Sequence, residues 1–563
     1  MAVADRKPLI VQSDRTLFLE VDHPRHEEVR DRLLPFAELV KSPEHVHTYR
    51  ITPISLWNAA AAGLDADDIV RSLKDYSRYE VPPIIEWLVR DQISRYGKVK
   101  LLRDGAGYYL DVGEDVLLAQ IMNNRKVVSY LEGGVFDERK VRLKEYARGH
   151  VKSALIRFGI PVEDLAGYVA GAPLEVTLRD TQAATGEPFV VRDYQRAAAE
   201  AFYRAGSAAG GSGVVVLPCG AGKTVVGMAA MAEVAAQTLI LVTNITAVHQ
   251  WKEELLDKTM LTADDVGEYT GLVKQRRPVT VATYQILVWR PSKKGPFPHF
   301  KLFAERDWGL IIYDEVHLLP APVFRITAEI QARRRLGLTA TLVREDGKED
   351  EVFSLIGPKR YDTPWKELER KNWIARALCR ELRVPMAAED RLRYAVASNH
   401  RRFRVAAENP CKVPVVERLL ELHRGHSVLV IGHYLNQLDV IAETVRAPLI
   451  TGKTPQPERD VLYEKFRRGR VPVLVVSKVA NFALDLPDAN VAIQVSGTFG
   501  SRQEEAQRLG RILRPKSGEN VAHFYTLVSR DTVEQDYALK RELFLTEQGY
   551  QYEIADAEAF FET

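Results

Sequence analysis

The stretch "VVVLPCGAGKTVVGM" joins two apolar runs through a glycine-rich turn and a Lys-Thr pair. The first run predicts a buried strand and the second predicts a helix. Between them, Gly220 and Gly222 allow the backbone to wrap around an anion, with N–H groups pointing inward at the positive end of the helix dipole. Lys223 could then reach the terminal phosphates of a nucleotide, and the Thr224 hydroxyl could ligate Mg²⁺. Leu217 stands where the strict phosphate-loop pattern has glycine, so a chance glycine-rich turn is the alternative for this stretch alone.

Two carboxylates follow a second apolar run, "LIIYDEVH", which places Asp314, Glu315 and His317 at the end of a predicted strand. On its own, a strand that ends in Asp-Glu is more typical of a surface turn. Beside a phosphate loop, the first acid is suited to hold Mg²⁺ and the second to deprotonate an attacking water. The pair of motifs therefore predicts ATP hydrolysis. No HExxH pattern is present, so His317 does not indicate a zinc site.

Two further segments carry groups that such a site needs. In "RDYQ", the Gln195 amide could both accept and donate at an adenine edge, although the signal is weak by itself. In "EEAQRLGRILRPK", Arg511 and Arg514 lie three residues apart and hence on one face of a predicted helix. Guanidinium groups suit a γ-phosphoryl transition state, whose charge spreads over its oxygens. A solvated basic helix face is the alternative for that segment.

The elements that position these residues form two similar series. Strand-like runs at residues 214–217, 238–242, 279–283, 310–313 and 336–338 alternate with helical spacing, and the theme restarts after Asn409 with "HSVLVIG", "APLIT", "VPVLVVS", "NVAIQVS" and "AHFYTLVS". Continuous apolar strands separated by helices indicate parallel sheets covered on both faces. We therefore expect two α/β lobes in tandem, joined by a connector near residues 360–410, with a ligand cleft between them.

The first 185 residues have a different pattern. Helical periodicity marks "ITPISLWNAAAAGLDADDIVRSLKDY" and "EWLVRDQISRYG", and "KVKLLRDGAGYYLDV" predicts a hairpin. A linker is expected at residues 179–188, and the acidic tail from Glu553 is expected to be a frayed, solvated end. His45 and His47 alternate on a strand-like face without further ligands, so a structural role is expected.

Composition limits the remaining possibilities. The 563 residues suffice for several domains with sizeable cores. With 78 basic and 76 acidic residues the net charge is only +2, so any basic groove is local. Three separated cysteines, Cys219, Cys379 and Cys411, argue against a disulfide framework and a four-cysteine metal site. We expect a cytosolic protein without membrane association, because neither a signal-peptide core nor an apolar run of about 18 residues is present.

Six motifs occur in order: "LPCGAGKT", "LVTNITAVHQW", "DEVH", "GLTATLVRED", "SKVANFALDLPDANVAIQVS" and "QRLGRILRP". Together they resemble superfamily 2 helicases, and specifically the XPB family of DNA translocases. The segments "YRITPISLWNAAAAGL", "YGKVKL" and "FYTLVSRDTVEQDYALKRELFLTEQGYQY" resemble the same family, so the resemblance covers nearly the whole chain. It implies two tandem RecA-like lobes with parallel sheets, preceded by small α+β domains.

The resemblance also implies a domain plan and a set of roles. The expected domains are an N-terminal domain at 1–130, a damage-recognition-like domain at 131–185, and lobes at 186–360 and 361–563, the second with a thumb-like helical element at 387–410. The implied nucleotide site has Arg192 and Gln195 near the adenine, Gly220, Gly222, Lys223 and Thr224 on phosphate and Mg²⁺, Asp314 as metal partner, Glu315 as base, His317 in coupling, Asp485 and Gln507 near the nucleotide, and Arg511 and Arg514 as fingers. The residues implied to contact DNA or couple hydrolysis to movement are Thr243, Thr339, Thr341, Arg344, Glu345, Asp346, Thr451 and Thr454.

The resemblance implies a prokaryotic relative that is an ATP- and Mg²⁺-dependent DNA helicase or translocase with 3′ to 5′ polarity, opening duplexes in nucleotide excision repair and in transcription. It would grip duplex and single-stranded DNA without sequence preference. Ala480 and Asn481 depart from the Gly and Asp usual in the family. They leave open an alternative, a duplex translocase or switch with little strand separation, which recruits a partner nuclease or repair protein through its N-terminal region.

Overall fold

The computed structural model describes residues 6–41, 46–207, 210–218, 220–292, 295, 297–320, 322–323, 327, 330, 333–340, 349–363, 365–477, 489–497, 520–539 and 552–562. The chain divides into two compact units, one of Met1–Leu217 and Gly222–Thr363, the other of Pro218–Ala221 and Pro364–Thr563. Within the described residues, each unit contains one seven-stranded sheet, and the first also contains two smaller sheets. None of the helices in these described ranges is long and apolar enough to cross a membrane.

The first small sheet has the strand order β1-β2-β4-β3 and is antiparallel throughout. Its elements are β1 (Leu9–Val11), β2 (Thr16–Glu20), α1 (His26–Leu33), β3 (Glu38–Lys41), β4 (Val46–Arg50), α2 (Pro53–Ala62), α3 (Ala66–Tyr76) and α4 (Pro83–Arg95). The predicted helices are confirmed, and α2 begins where the Thr52 hydroxyl accepts the Ser55 N–H. His47 is buried with its Nδ1 3.3 Å from Nε2 of His26, which fits the structural role expected of it.

The second small sheet has the order β7-β8-β6-β5-β9. Its elements are β5 (Val99–Asp104), β6 (Gly107–Val112), α5 (Asp115–Asn123), α6 (Arg125–Val128), β7 (Leu131–Asp137), β8 (Lys140–Leu143), α7 (Arg148–Ile156) and β9 (Glu163–Asp164). The predicted hairpin is confirmed as antiparallel β5 and β6. A division at residues 130–131 falls between β6 and β7, inside this one sheet, and the domain bounds remain a proposal.

The first seven-stranded sheet is entirely parallel and has the order β12-β13-β11-β14-β15-β10-β16. Its elements are α8 (Asp193–Tyr203), β10 (Ser212–Val216), α9 (Lys223–Val234), β11 (Thr238–Val242), α10 (Ile245–Lys258), β12 (Val266–Tyr269), β13 (Val279–Thr283), α11 (Tyr284–Val288), α12 (Leu302–Glu305), β14 (Leu310–Asp314), β15 (Arg334–Thr339), α13 (Glu349–Leu355) and β16 (Lys359–Asp362). We call this seven-stranded sheet and the helices just given lobe 1. Every residue of β10, β11 and β13 is buried, as their continuous apolar runs predict.

Two expectations about the limits of lobe 1 were wrong. Residues 359–362 are not a connector, because they form edge strand β16 beside β10. The expected linker at 179–188 packs on the end of α10, where Ala183 N–H donates to the Asp257 carbonyl at 3.0 Å and Arg179 N–H to that of Lys258 at 2.9 Å. Backbone pairing gives these polar segments partners that their side chains do not reveal.

The second seven-stranded sheet is also parallel, with the order β19-β20-β18-β21-β22-β17-β23. Its elements, called lobe 2, are α14 (Trp365–Arg370), β17 (Arg376–Val384), α15 (Ala388–Val396), α16 (Asn399–Ala407), α17 (Lys412–Leu422), β18 (Val428–Gly432), α18 (Leu435–Val445), β19 (Leu449–Ile450), α19 (Gln456–Arg467), β20 (Val473–Ser477), β21 (Val491–Gln494), β22 (Val521–Ser529), β23 (Tyr552–Asp556) and α20 (Ala557–Phe560). Two parallel sheets flanked by helices confirm the predicted fold class.

Lobe 2 corrects two further expectations. Strand β17 lies within the segment predicted to be a connector, and it pairs with both β22 and β23. The acidic tail is likewise not a frayed end, because Glu553 lies in edge strand β23 and accepts the Arg380 Nε–H at 2.7 Å.

Candidate functional site

The glycine-rich turn leads from buried strand β10 into helix α9. Leu217 N–H donates to the Thr339 carbonyl at 2.9 Å, which ties the end of β10 to β15. Gly220 and Gly222 have φ values of +81° and +76°, where side chains with a Cβ are strained. A Cβ on Gly222 would also lie 2.5 Å from Nε2 of Gln195. Both the backbone and the packing therefore require glycine at 222.

The acidic pair lies at the same edge of the sheet. Strand β14 ends at Asp314, and parallel strands place their carboxyl ends together. The Lys223 ammonium lies 3.3 Å from Oε1 of Glu315, with both side chains largely buried. Glu315 has φ +49°, the left-handed region that non-glycine residues rarely adopt and that is enriched at functional sites. The fold thus brings the two sequence motifs into direct contact.

The pKa values of the two carboxyl groups shift in opposite directions. Burial, followed by the neighbouring charge of Glu315, raises the pKa of Asp314 to about 6. Burial also opposes ionisation of Glu315, but the charge of Lys223 and then that of His317 outweigh it and lower the pKa of Glu315. Glu315 is therefore the more readily ionised member of the pair, and the ionised form is the one that accepts a proton.

His317, in the turn after β14, and Thr339, from the adjacent strand β15, join this cluster. Nδ1 of His317 lies 2.7 Å from the Thr339 hydroxyl and 3.5 Å from Oε2 of Glu315. Both residues are buried, and Thr339 is the last residue of β15. The three side chains form a contiguous polar path from the acidic pair to the end of that strand.

The side-chain oxygens at this site show whether it can hold Mg²⁺. Thr224, Asp314 and Glu315 supply hydroxyl and carboxylate oxygens, the ligands that Mg²⁺ prefers. Oε2 of Glu315 is buried and accepts no hydrogen bond from the part of the chain that the structure describes. These residues fit a hydrated Mg²⁺ beside a bound phosphate.

Comparison with known proteins identifies the family. Residues 368–562 match the ERCC3/RAD25/XPB C-terminal helicase family, residues 188–344 match the type III restriction enzyme res subunit family, and residues 9–132 match a helicase conserved C-terminal domain. The chain is similar to the DNA 3′-5′ helicases XPB of Kineococcus radiotolerans and Mycobacterium tuberculosis, each 53% identical over 98% of this chain and 97% and 98% of theirs. It is 33% identical, over 97% of its length and 92% of the relative's, to the general transcription and DNA repair factor IIH helicase/translocase subunit XPB of Enterocytozoon bieneusi. The chain belongs to the XPB family.

The adenine side of this XPB-family site has a structural explanation as well. Oε1 of Gln195 accepts the Arg192 N–H at 3.0 Å, so the buried amide caps α8 while its other end meets Gly222. Gln195 therefore lies beside Gly222 of the phosphate loop. Contact with adenine stays a prediction.

Two residues at the acidic pair were missed by sequence reasoning. The Trp251 indole N–H donates to Oδ2 of Asp314 at 2.9 Å, and the Tyr284 hydroxyl donates to the Asp314 carbonyl at 2.9 Å. Trp251 stands in the motif "LVTNITAVHQW", which carries the XPB resemblance, but nothing local indicates what its indole contacts.

The predicted DNA-side residues occupy loops of both lobes. Thr243 follows β11, and its carbonyl accepts the Gln285 side-chain amide. In lobe 2, the Thr454 hydroxyl accepts the Thr451 N–H at 3.0 Å in a turn before α19. The remaining predicted site residues lie outside the described residues: Thr341, Arg344, Glu345, Asp346, Asp485, Gln507, Arg511 and Arg514.

Proposed function

We propose that this XPB-family chain is an ATP-driven DNA helicase that moves 3′ to 5′. The observation that carries the proposal is the pairing of Lys223 with Glu315 at the carboxyl edge of lobe 1, at 3.3 Å. Two relatives that are 53% identical over nearly the whole chain are named DNA 3′-5′ helicases. Their names support the DNA substrate and the polarity in this proposal.

The chain's own groups divide the work. Lys223 turns from Glu315 to the terminal phosphates when nucleotide enters, and the backbone N–H groups around Gly222 hold the remaining phosphate oxygens. Glu315, released from that ion pair, orients the attacking water and accepts its proton. Thr224 and Asp314 would hold Mg²⁺, which when bound neutralises charge on the β- and γ-phosphates.

His317 and Thr339 are suited to report the state of the acidic pair. Loss of the Lys223 contact changes the charge next to His317, whose Nδ1 lies 2.7 Å from the Thr339 hydroxyl. Thr339 ends β15, so a change in this bond reaches the segment that follows the strand. We assign this path to coupling between hydrolysis and movement, and the role of Arg511 and Arg514 as fingers stays a prediction from the sequence.

The wider role follows the relatives. Binding to DNA is expected to be sequence-independent and to weaken with salt, because it rests on phosphate contacts. Opening of duplexes in excision repair and transcription fits the relative named as a subunit of factor IIH. A partner nuclease at the N-terminal region and a cytosolic location stay predictions.

Steady-state ATPase activity tests this function. The rate is measured with duplex DNA, single-stranded DNA and RNA, using the full chain and Lys223→Ala. Lys301→Ala, which removes a lysine that is 61% exposed, is the matched control. We expect DNA to stimulate the wild type and the control, and Lys223→Ala to be inactive. Absence of stimulation by any nucleic acid would refute an autonomous motor and favour a switch that awaits a partner.

A further inference from the structure

Both carboxylate oxygens of Asp314 are held by N–H donors. Oδ2 accepts the Trp251 indole N–H at 2.9 Å, and Oδ1 accepts the Glu315 backbone N–H at 3.0 Å. Two donors on different oxygens fix the plane of a carboxylate as well as its position. The Glu315 N–H directly follows strand β14, whereas Trp251 lies in helix α10.

The indole of Trp251 has little freedom to move. It is 1% exposed, and a Cβ on Gly227 would lie 2.5 Å from its Cη2 and 3.2 Å from its Cζ3. Gly227 lies in α9, the helix that begins at Lys223. The phosphate-binding helix therefore sets the position of the ring that holds Asp314.

Helix α10 links the same ring to a predicted DNA contact. The helix begins after Asn244, whose side chain accepts the Ala247 N–H at 2.9 Å, and Thr243 immediately precedes this cap. Trp251 lies about two turns further along the helix. A displacement of residues 243–247 is thus carried to the indole by a short rigid element.

A second route joins the same two places. The Gln285 side-chain amide donates to the Thr243 carbonyl, and the hydroxyl of neighbouring Tyr284 donates to the Asp314 carbonyl at 2.9 Å. Tyr284 and Gln285 are the first two residues of α11. Segment 243–247 and Asp314 are therefore connected through both α10 and α11.

We propose that Trp251 and Tyr284 are positioning residues through which a DNA strand bound at residues 243–247 orients the Asp314 carboxylate and so stimulates ATP hydrolysis. The inference rests on the proposed function, because it assigns the means by which DNA accelerates that reaction. Both residues are buried. Each acts through Asp314, which is predicted to hold Mg²⁺.

The test removes each donor and keeps an aromatic side chain, with Trp251→Phe and Tyr284→Phe in the full chain. Two matched control variants, Trp308→Phe and Tyr313→Phe, each lose a comparable buried hydrogen bond elsewhere in lobe 1. In the wild type, the Trp308 indole donates to the Leu302 carbonyl at 2.8 Å, and the Tyr313 hydroxyl lies 3.1 Å from that of Thr327. The readouts are the ratio of kcat with and without DNA, and the Mg²⁺ concentration that half-saturates binding of a fluorescent non-hydrolysable ATP analogue.

We expect the stimulation ratio to fall about tenfold in Trp251→Phe, the rate effect of one lost hydrogen bond to a charged group, and severalfold in Tyr284→Phe. The Mg²⁺ requirement should rise in Trp251→Phe without DNA present, and the controls should match the wild type. The positioning role is overturned if the wild type is stimulated by DNA and both variants keep its ratio and its Mg²⁺ requirement, or if the controls lose as much. A wild type without DNA stimulation would instead refute the proposed function.

Discussion

Gly227→Ala perturbs the packing behind the acidic pair by one methyl group. Replacing a glycine inside a helix by alanine ordinarily stabilises a protein by about 0.5–1 kcal/mol. At this position the new Cβ would lie 2.5 Å and 3.2 Å from two ring carbons of Trp251 and 3.5 Å from Cδ1 of Leu338. Overpacking of a filled core costs about 1–3 kcal/mol, so a net destabilisation of about 0.5–2 kcal/mol is expected in place of a gain.

Native-state hydrogen exchange of the β10–β15 amides measures this change locally, which avoids treating a chain of several domains as a two-state system. ATPase activity should fall in the same variant, because the displaced ring no longer holds Asp314 in place. Gly105→Ala is the control, since a Cβ there would meet no atom within 4 Å. Greater protection of lobe 1 together with unchanged ATPase activity would refute the close contact between α9 and Trp251.

Two other features give predictions about stability. Asp164 is buried between Arg148, at 2.8 Å, and Lys152, at 2.7 Å, so Asp164→Ala should destabilise the second small sheet by about 3–5 kcal/mol by leaving two buried cations unpaired. Native-state hydrogen exchange of the β5, β6 and β8 amides checks this, and an effect below about 1 kcal/mol, typical of an exposed pair, would contradict it. Burial lowers the pKa of His26 and of His47 to about 4, so the unfolded state binds more protons below pH 6.5 and the first small sheet should lose stability as pH falls from about 6.5 towards 4. Pulse proteolysis across that range measures the loss, and a resistance that does not change with pH would contradict the burial argument.

Strands that are continuous apolar runs could be predicted from the sequence, and strands rich in charged residues could not. The limits of β11 and β13 match the predicted ones because both strands are continuous apolar runs. In "RALCRELRV" of β17, exposed or half-buried charged residues alternate with buried ones, so no apolar run marks it. Its partner β23 is acidic and mostly exposed, and only pairing with β17, including the contact between Arg380 and Glu553, makes it a strand.

The same distinction holds at the candidate site. Lys223, Asp314 and Glu315 could be predicted because each lies in a short motif whose chemistry is local. Trp251 and Tyr284 lie 63 and 30 residues before Asp314, and nothing within a local window indicates that their polar atoms meet it. Such contacts depend on the order of strands in the sheet, which a single sequence does not specify.

Directional strand displacement tests the central claim most directly. The full chain, with ATP and Mg²⁺, is given a duplex that carries either a 3′ or a 5′ single-stranded tail, and Lys223→Ala is run beside it. The account predicts displacement from the 3′-tailed duplex, little from the 5′-tailed one, and none by the variant. Displacement that Lys223→Ala retains, or that favours the 5′ tail, would contradict an ATP-driven 3′ to 5′ helicase.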